Sequence, residues 1–330
     1  MPTRRNLIFN AFAFKEDYLN APAIGSEKVS DRTIDIYIKN AYVSLFSAKA
    51  KNPQDDVALV TNCELPFKYK DLFMREKIKI IKIEFNDFVM PKTFVWSLAF
   101  FKLCALKYIV NNNNYEKILL LDPDTITVYN YKELWMEADH GLLLYNINHS
   151  YANKYRKSIV QNYQHLYQND KNLVHYGGEF IGGTNKVLKN FIEKCDKVYK
   201  VIKENNFNIS NDAGDETIIS IAAIFLNNVI EAGAYIYRYW TYPSFFLIST
   251  NYKINPVAIW HLPAEKKEGM IRIYNHLQRR GVLPSIEKMA RIFGLPRATR
   301  FNILTILRWC YIKVKGICRR ATNILLNKIK

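Results

Sequence analysis

Two aspartates one residue apart, Asp122 and Asp124, follow directly on an apolar run, Ile118-Leu119-Leu120-Leu121. One or both carboxylates can reach a hard divalent cation, directly or through water. Mg²⁺ or Mn²⁺ held in this way takes its other ligands from water and substrate phosphates. Such a cation suits the departure of a nucleoside diphosphate, because it neutralises charge on the leaving group. Taken alone, an Asp-X-Asp pair is more often a solvated turn. Here the setting favours the metal. The apolar run reads as a strand covered on both faces. Pro123 ends ordinary strand pairing, and Ile126 and Val128 continue an apolar alternation beyond it. In open α/β sheets, ligands sit at the carboxyl ends of strands.

A second acidic group lies in Asn211-Asp212-Ala213-Gly214-Asp215-Glu216, which opens an apolar helix expected over Thr217 to Phe225. A helix dipole favours acids at its N-terminus, and that alone would account for them. A helix too apolar to face water, led by an acidic pair beside a glycine, also reads as a buried functional corner. Gly177 to Thr184, GGEFIGGT, sets two glycine pairs around Glu179-Phe180-Ile181. Glycine allows close approach of backbone to ligand; a strand between two tight turns is the plainer reading. His261 ends a short strand expected over Ala258 to His261. Lys102 lies on a helix expected over Phe94 to Val110.

The elements that must position these residues alternate. Asn6 to Phe14, Asp56 to Asn62 and Lys77 to Phe85 read as strands. Thr33 to Lys51 has helical spacing, with Ile34, Ile38, Ala41, Leu45 and Ala48 along one side and Asp31 as N-cap. The order up to the aspartates is β, α, β, β, α, β, which indicates a parallel or mixed sheet. Gly141 to Asn146 reads as a strand. Asn148 to Tyr176 is a polar, Tyr-rich stretch, read either as an acceptor-binding loop or lid, or as a helix with a packed aromatic face. An amphipathic helix follows over Asn185 to Asn205, and Gly233 to Trp240 reads as another strand.

A chain of 330 residues with 49% apolar residues can bury a large core. The net charge of +17 calls for an anionic partner. Arg291 to Lys330 holds ten Lys or Arg and no Asp or Glu, so most of that excess sits in one appendage. The appendage interleaves Phe301, Leu304, Leu307, Trp309, Tyr311, Ile312, Val314 and Ile317 with Arg300, Arg308, Lys313, Lys315, Arg319 and Arg320. It reads as one or two basic amphipathic helices, with a kink at Gly316, lying in a membrane interface. A C-terminal helix packed on the domain is the alternative. A nucleic-acid-binding protein would spread its basic groove through the fold, so no nucleic-acid partner is expected. The five cysteines are odd in number and have no Cys-X-X-Cys spacing, which argues against a disulfide framework and a structural zinc site. A reducing cytoplasm is the simplest home. The run Leu7 to Phe14 is short, holds Asn10 and ends in Lys15-Glu16-Asp17, which fits a core strand better than a signal peptide. No stretch reaches the roughly 18–20 apolar residues of a spanning helix.

Assembled, these residues resemble those of GT-A-fold, nucleotide-sugar-dependent glycosyltransferases. Asp122-Pro123-Asp124 is similar to that fold's D-x-D motif. The stretch H-Y-G-G-E-F-I-G-G-T, a helix of about twenty residues, and G-D-E-T-I-I-S resembles the retaining histo-blood-group and α-1,3-galactosyltransferase family. Those enzymes carry G-G-x-F-x-G-G-[ST], a similar helix and H-D-E-S. Ile259-Trp260-His261 resembles a histidine metal ligand of the lipooligosaccharide galactosyltransferase family. The resemblance covers roughly residues 5 to 265. The chain departs from the blood-group pattern at Gly214, where that family has histidine, and at Pro123 and Thr125. Pro263 and Lys266-Lys267 occupy the stretch where the lipooligosaccharide family has a glycine–lysine pattern.

The resemblance implies a GT-A (Rossmann-like) mixed central sheet flanked by helices over residues 1–270, with a basic amphipathic helical extension over 271–330. Asp122, Asp124 and His261 would hold Mn²⁺ or Mg²⁺. Asp122, Asp124 and Lys102 would face the diphosphate, and Gly182 and Gly183 the donor sugar. Asp215 would contact that sugar, and Glu216 would stand opposite the leaving group as nucleophile or cation stabiliser. The implied activity is transfer of a hexose (galactose, glucose or an N-acetylhexosamine) from a UDP-sugar to a hydroxyl of a bacterial surface glycan, with retention. The implied acceptor is a glycan or glycolipid of lipopolysaccharide, lipooligosaccharide or capsule. The expected location is cytoplasmic, peripheral on the inner face of the membrane, held to anionic lipid by the tail. A nucleotidyltransferase on a related α/β fold is the alternative enzyme.

Overall fold

The structure is a computed structural model that describes residues 5–14, 31–148, 150–241, 252–253, 255–295 and 303–328. Its centre is a seven-stranded sheet in the order β3-β2-β1-β4-β7-β6-β8. The strands are β1 (Leu7–Phe12), β2 (Asp56–Thr61), β3 (Lys79–Lys82), β4 (Lys117–Leu121), β6 (Leu142–Asn146), β7 (Tyr176–Thr184) and β8 (Val229–Glu231). β1, β2, β3 and β4 are parallel, β7 runs antiparallel to β4 and β6, and β8 is parallel to β6. One strand, β7, is therefore reversed. Its first residues lie beside the last residues of β4, with Phe180 opposite Leu121 and Gly183 opposite Ile118.

Strands covered on both faces place alternate side chains in different layers. Leu119 and Leu121 of β4 enter one core cluster, and Ile118 and Leu120 the other. On the first face pack α1 (Asp31–Lys51), α2 (Phe67–Arg75) and α4 (Lys132–Glu137). On the second pack α3 (Phe101–Asn112), α5 (Lys154–Tyr167), α6 (Asn185–Glu204) and α7 (Glu216–Ala223). A small sheet on the first face joins β5 (Thr125–Thr127), β10 (Ile259–His261) and β9 (Ile236–Arg238), with β10 central. β10 runs antiparallel to β5 and parallel to β9, which sets His261 opposite both Thr125 and Arg238.

The α/β fold with a mixed sheet is the one the sequence implied. Several elements differ in detail. The helix expected from Phe94 starts as a 3-10 turn, Ser97–Phe100, before α3. The Tyr-rich stretch forms α5, started by Asn153, whose side chain accepts from the backbone of Tyr155 and Arg156. GGEFIGGT is one continuous strand, not a strand between turns. α2 and α4 were not foreseen, although Tyr69, Leu72 and Phe73 bury one face of α2.

The expected division at residue 270 falls inside packed structure. α8 (Gly269–Arg280) and α9 (Ile286–Phe293) bury Met270, Ile273, Leu277, Met289, Ala290 and Phe293 in the first cluster, and Leu295 joins them. The packed body thus extends to Leu295. Beyond it, α10 (Ile303–Lys328) runs through Gly316 as one helix rather than two. Arg308 of α10 donates to Glu265 and to the carbonyl of Ile292, and Lys315 lies 2.5 Å from Glu268. Ile306, Leu307, Trp309, Tyr311, Val314 and Ile317 are exposed. Among the described residues no helix is long and apolar enough to cross a membrane.

Candidate active site

The carboxyl end of β4 turns sharply at Pro123. Thr125 donates to the carbonyl of Asp122 from both its backbone N–H and its hydroxyl, at 3.2 and 2.8 Å. That hydroxyl also lies 2.8 Å from Ser44, on α1. The backbone N–H of Leu262 donates to Asp124 O at 3.0 Å, which seats the end of β10 against the turn. His261 is thereby brought in: its Nε2 is 3.3 Å from Asp124 Oδ2 and 4.0 Å from Asp122 Oδ2. One ligand atom from each of Asp122, Asp124 and His261 can be chosen so that all lie within 4.8 Å of one another.

This donor set fits a divalent cation. Asp124 Oδ1 is buried and meets no hydrogen-bond donor among the described residues. A buried carboxylate oxygen in that condition is costly unless a cation serves it. Carboxylate oxygens with one imidazole suit Mg²⁺ or Mn²⁺. Lys266 donates to Asp124 Oδ2. Burial opposes ionisation of Asp124, but Lys266 and His261 override it and hold its pKa far below the usual range. The charge balance agrees: the carboxylates Asp122, Asp124, Glu179, Asp215 and Glu216 outnumber Lys102, Arg238, Lys266 and the His261 imidazole in one linked cluster, and Asp124 and Glu179 raise the pKa of that imidazole against its burial.

Lys102 joins the two acidic groups. Its Nζ lies 3.1 Å from Asp122 Oδ1 and 3.0 Å from Asp215 Oδ2, and donates to Gly178 O at 3.0 Å. Burial works against its charge, but Asp122 and Asp215 raise its pKa and keep it an ammonium. Burial pushes the Asp215 carboxyl up to about 6, against the pull of Lys102 and with help from Glu216 and Asp122. Glu216 moves the other way. Burial opposes it, but the His175 hydrogen bond and the Arg238 charge lower its pKa, so it is a carboxylate. His175 Nε2 is 2.7 Å from Glu216 Oε2. The ring's other nitrogen lies 2.8 Å from the amide nitrogen of Asn148, whose oxygen is engaged by Asn153 at 2.9 Å. The amide therefore donates to Nδ1, and His175 donates from Nε2 to Glu216.

Asp122, Asp124, Lys102, Asp215, Glu216 and His261 all line one cavity of about 390 Å³. Gly182 and Gly183 do not. Because β7 is antiparallel to β4, they pair with Leu119 and Ile118, at the end of β4 away from the aspartates. The other glycine pair takes the position at the site. A Cβ on Gly178 would stand 2.3 Å from Asp215 Oδ2 and 2.6 Å from Lys102 Nζ. One on Gly177 would stand 1.9 Å from Glu179 Oε2. Gly214, where the resemblance has histidine, holds a φ of +55° with Trp96 packed over it.

Four side chains escaped the sequence reading: His175, Glu179, Arg238 and Lys266. Glu179 is fully buried. It receives Arg238 Nε at 2.7 Å and Nη2 at 2.6 Å, and its Oε1 is 3.1 Å from His261 Nδ1. Arg238 Nη2 also reaches Glu216 Oε1 at 3.3 Å. Both residues were visible as lone charges in apolar segments, EFIGG and YIYRYW. In the lining of the same cavity Phe12 and Tyr37 stack, with centroids 6.2 Å apart and planes at 16°.

No protein-family model matches the chain, and no curated protein matches it in sequence. Solved structures do match. The chain is similar to the galactosyltransferase LgtC in complex with donor and acceptor sugar analogs, with a TM-score of 0.54 and 15% identity over 87% of this chain and 99% of that one. An active-site mutant of LgtC matches with a TM-score of 0.53 and 14% identity over the same shares. At this identity the likeness is one of fold, and that fold is the GT-A arrangement the sequence implied.

Proposed function

We propose that this chain is a metal-dependent glycosyltransferase that moves a hexose from a UDP-sugar to a hydroxyl of a bacterial surface glycan, with retention. The observation that carries the reading is a single cavity in which Lys102 joins the Asp122–Asp124–His261 triad to the Asp215–Glu216 pair. The likeness to LgtC, solved with donor and acceptor sugar analogs, supports a site for a donor and an acceptor.

Asp122, Asp124 and His261 would hold Mn²⁺ or Mg²⁺, which supplies charge neutralisation of the departing diphosphate. Lys102 and Lys266 add positive charge at the same end of the cavity. The stacked Phe12–Tyr37 pair offers an aromatic wall to the base of the nucleotide. Glu216, kept ionised beside His175, stabilises positive charge developing on the sugar carbon. Its carboxylate can act as nucleophile or as cation stabiliser. Asn148, Tyr155 and Trp240 line the same cavity and offer contacts to the acceptor.

The exposed apolar and aromatic residues of α10, interleaved with lysines, suit an anionic membrane surface. An enzyme acting on a lipid-linked glycan at the inner face of the membrane, for lipopolysaccharide, lipooligosaccharide or capsule, accounts for such a helix. The test is donor hydrolysis by the purified protein with Mn²⁺ across a panel of nucleotide sugars. Release of a nucleoside diphosphate from one donor, abolished by chelator, is expected. Release of pyrophosphate would make the chain a nucleotidyltransferase. Failure to bind any nucleotide sugar in calorimetry would overturn both.

A further inference from the structure

The metal-side histidine and the reactive-face carboxylate come from different elements, β10 and α7, yet one buried ion pair touches both. Glu179, on β7, takes two parallel hydrogen bonds from Arg238, at 2.7 and 2.6 Å, and lies 3.1 Å from His261 Nδ1. The Arg238 Nη2 that completes this fork is 3.3 Å from Glu216 Oε1. The backbone is arranged for the contact. Arg238 and His261 are register partners across the parallel β9–β10 pair, so both side chains meet Glu179 from the same direction. Gly177, two residues before Glu179 on the same face of the strand, leaves its carboxylate room that any Cβ would fill.

We propose that Glu179 and Arg238 are positioning residues that set two functional groups as one unit: the imidazole facing the metal-ligating aspartates, and the Glu216 carboxylate facing the donor sugar. This rests on the metal-dependent transferase reading. A carboxylate only accepts hydrogen bonds, so Glu179 fixes the proton of His261 on Nδ1 and turns Nε2 toward Asp122 and Asp124. The guanidinium is the suitable partner because its planar fork can serve one carboxylate with two donors and still reach a second. Glu216 then has both oxygens engaged, Oε2 by His175 and Oε1 by Arg238, and cannot rotate away from the cavity.

The experiment measures Mn²⁺ affinity of the full chain by electron paramagnetic resonance of free Mn²⁺, beside donor kinetics. Glu179→Gln should weaken Mn²⁺ binding about 10–100-fold, the usual effect of removing a partner behind a ligating histidine. In a His261→Ala background the same change should alter affinity less than about threefold, because it acts through the imidazole. Arg238→Lys should lower kcat at least about tenfold with donor KM within about threefold, since it disturbs Glu216 more than binding. Near-UV circular dichroism checks the fold of each variant. Wild-type Mn²⁺ affinity in a folded Glu179→Gln protein, or losses for Glu179 and His261 that simply multiply, would overturn the inference. If Glu179→Gln does not fold, Arg238→Lys decides: unchanged kcat overturns it. Absence of Mn²⁺ binding by the wild-type chain removes the metal reading itself, a different failure from variants that match an active parent.

Discussion

Alanine at Gly177 should damage this protein far more than alanine at Gly182, although both glycines lie in the same strand. An added Cβ at 177 falls 1.9 Å from Glu179 Oε2 and 2.7 Å from Ile147 Cγ2. Ordinary contact begins near 3.4 Å, so the carboxylate must retreat by about 1.5 Å. Its hydrogen bonds to Arg238 are 2.7 and 2.6 Å long, and a retreat of that size takes them beyond bonding distance. The result is a buried carboxylate with its guanidinium partner pulled away, a condition that costs about 3–5 kcal/mol. At 182 the nearest atom is Leu119 Cδ1 at 3.1 Å, the far end of a flexible side chain, and a shift of a few tenths of an ångström suffices. There the loss should stay near 1 kcal/mol, the mild end of overpacking. Denaturant unfolding of the full chain reads both values, and for a chain of this size the Gly177→Ala thermal midpoint should fall by roughly 4–7 °C. Wild-type stability in Gly177→Ala, or an equal loss in Gly182→Ala, would refute the close-approach argument.

Three further outcomes follow from the same geometry. Asp124→Ala should abolish turnover and Mn²⁺ binding while circular dichroism keeps the native signal; full activity would remove the metal role. Glu216→Gln should cut kcat far more than donor binding measured by calorimetry, and equal losses would make Glu216 structural. Asp215, whose carboxyl is pushed up to about 6 chiefly by burial, should give kcat/KM an acid limb near pH 6. As pH falls through that value the carboxylate takes a proton and Lys102 loses one of its two carboxylate partners. For stability the sign is opposite. Between the ordinary value of 3.8 and about 6 the native state binds more protons than the unfolded chain, so this contribution declines as pH rises through the window. A profile flat down to pH 5 would contradict the assignment.

Much of this site was legible because its residues interrupt strong patterns. Asp122 and Asp124 end an apolar run, and Asp215 and Glu216 open a helix whose other residues are all buried. Those junctions are local, and local pattern reports them. The glycine pairs were legible as backbone that must approach something, but not which pair. That choice depends on the direction of β7, and strand direction is a property of pairing between residues far apart in sequence. Arg238 and Lys266 are harder still. Arg238 meets Glu179 across 59 positions and Lys266 meets Asp124 across 142, separations over which no periodicity speaks. The boundary expected at 270 sets α8 and α9 apart from the body they pack on. Their apolar faces, Met270, Ile273 and Leu277 on α8, belong to the core.

The reversed strand also explains why so much charge tolerates burial here. Parallel strands alone would present only carboxyl ends at the cavity, with side chains spreading outward from each. Reversing β7 threads a strand start between β4 and β6, and its two small residues open space on both faces at once. Into one face comes Glu179 with Arg238 and His261; near the other stand Asp215 and Lys102. Every one of these charges has an opposite charge or an imidazole within 3.3 Å, so each desolvation cost is offset locally. Well-packed apolar residues in the same space would be at least as stable. Stability therefore does not account for the cluster, whereas an excess of carboxylates facing a cavity at the end of a sheet is what a bound cation would require.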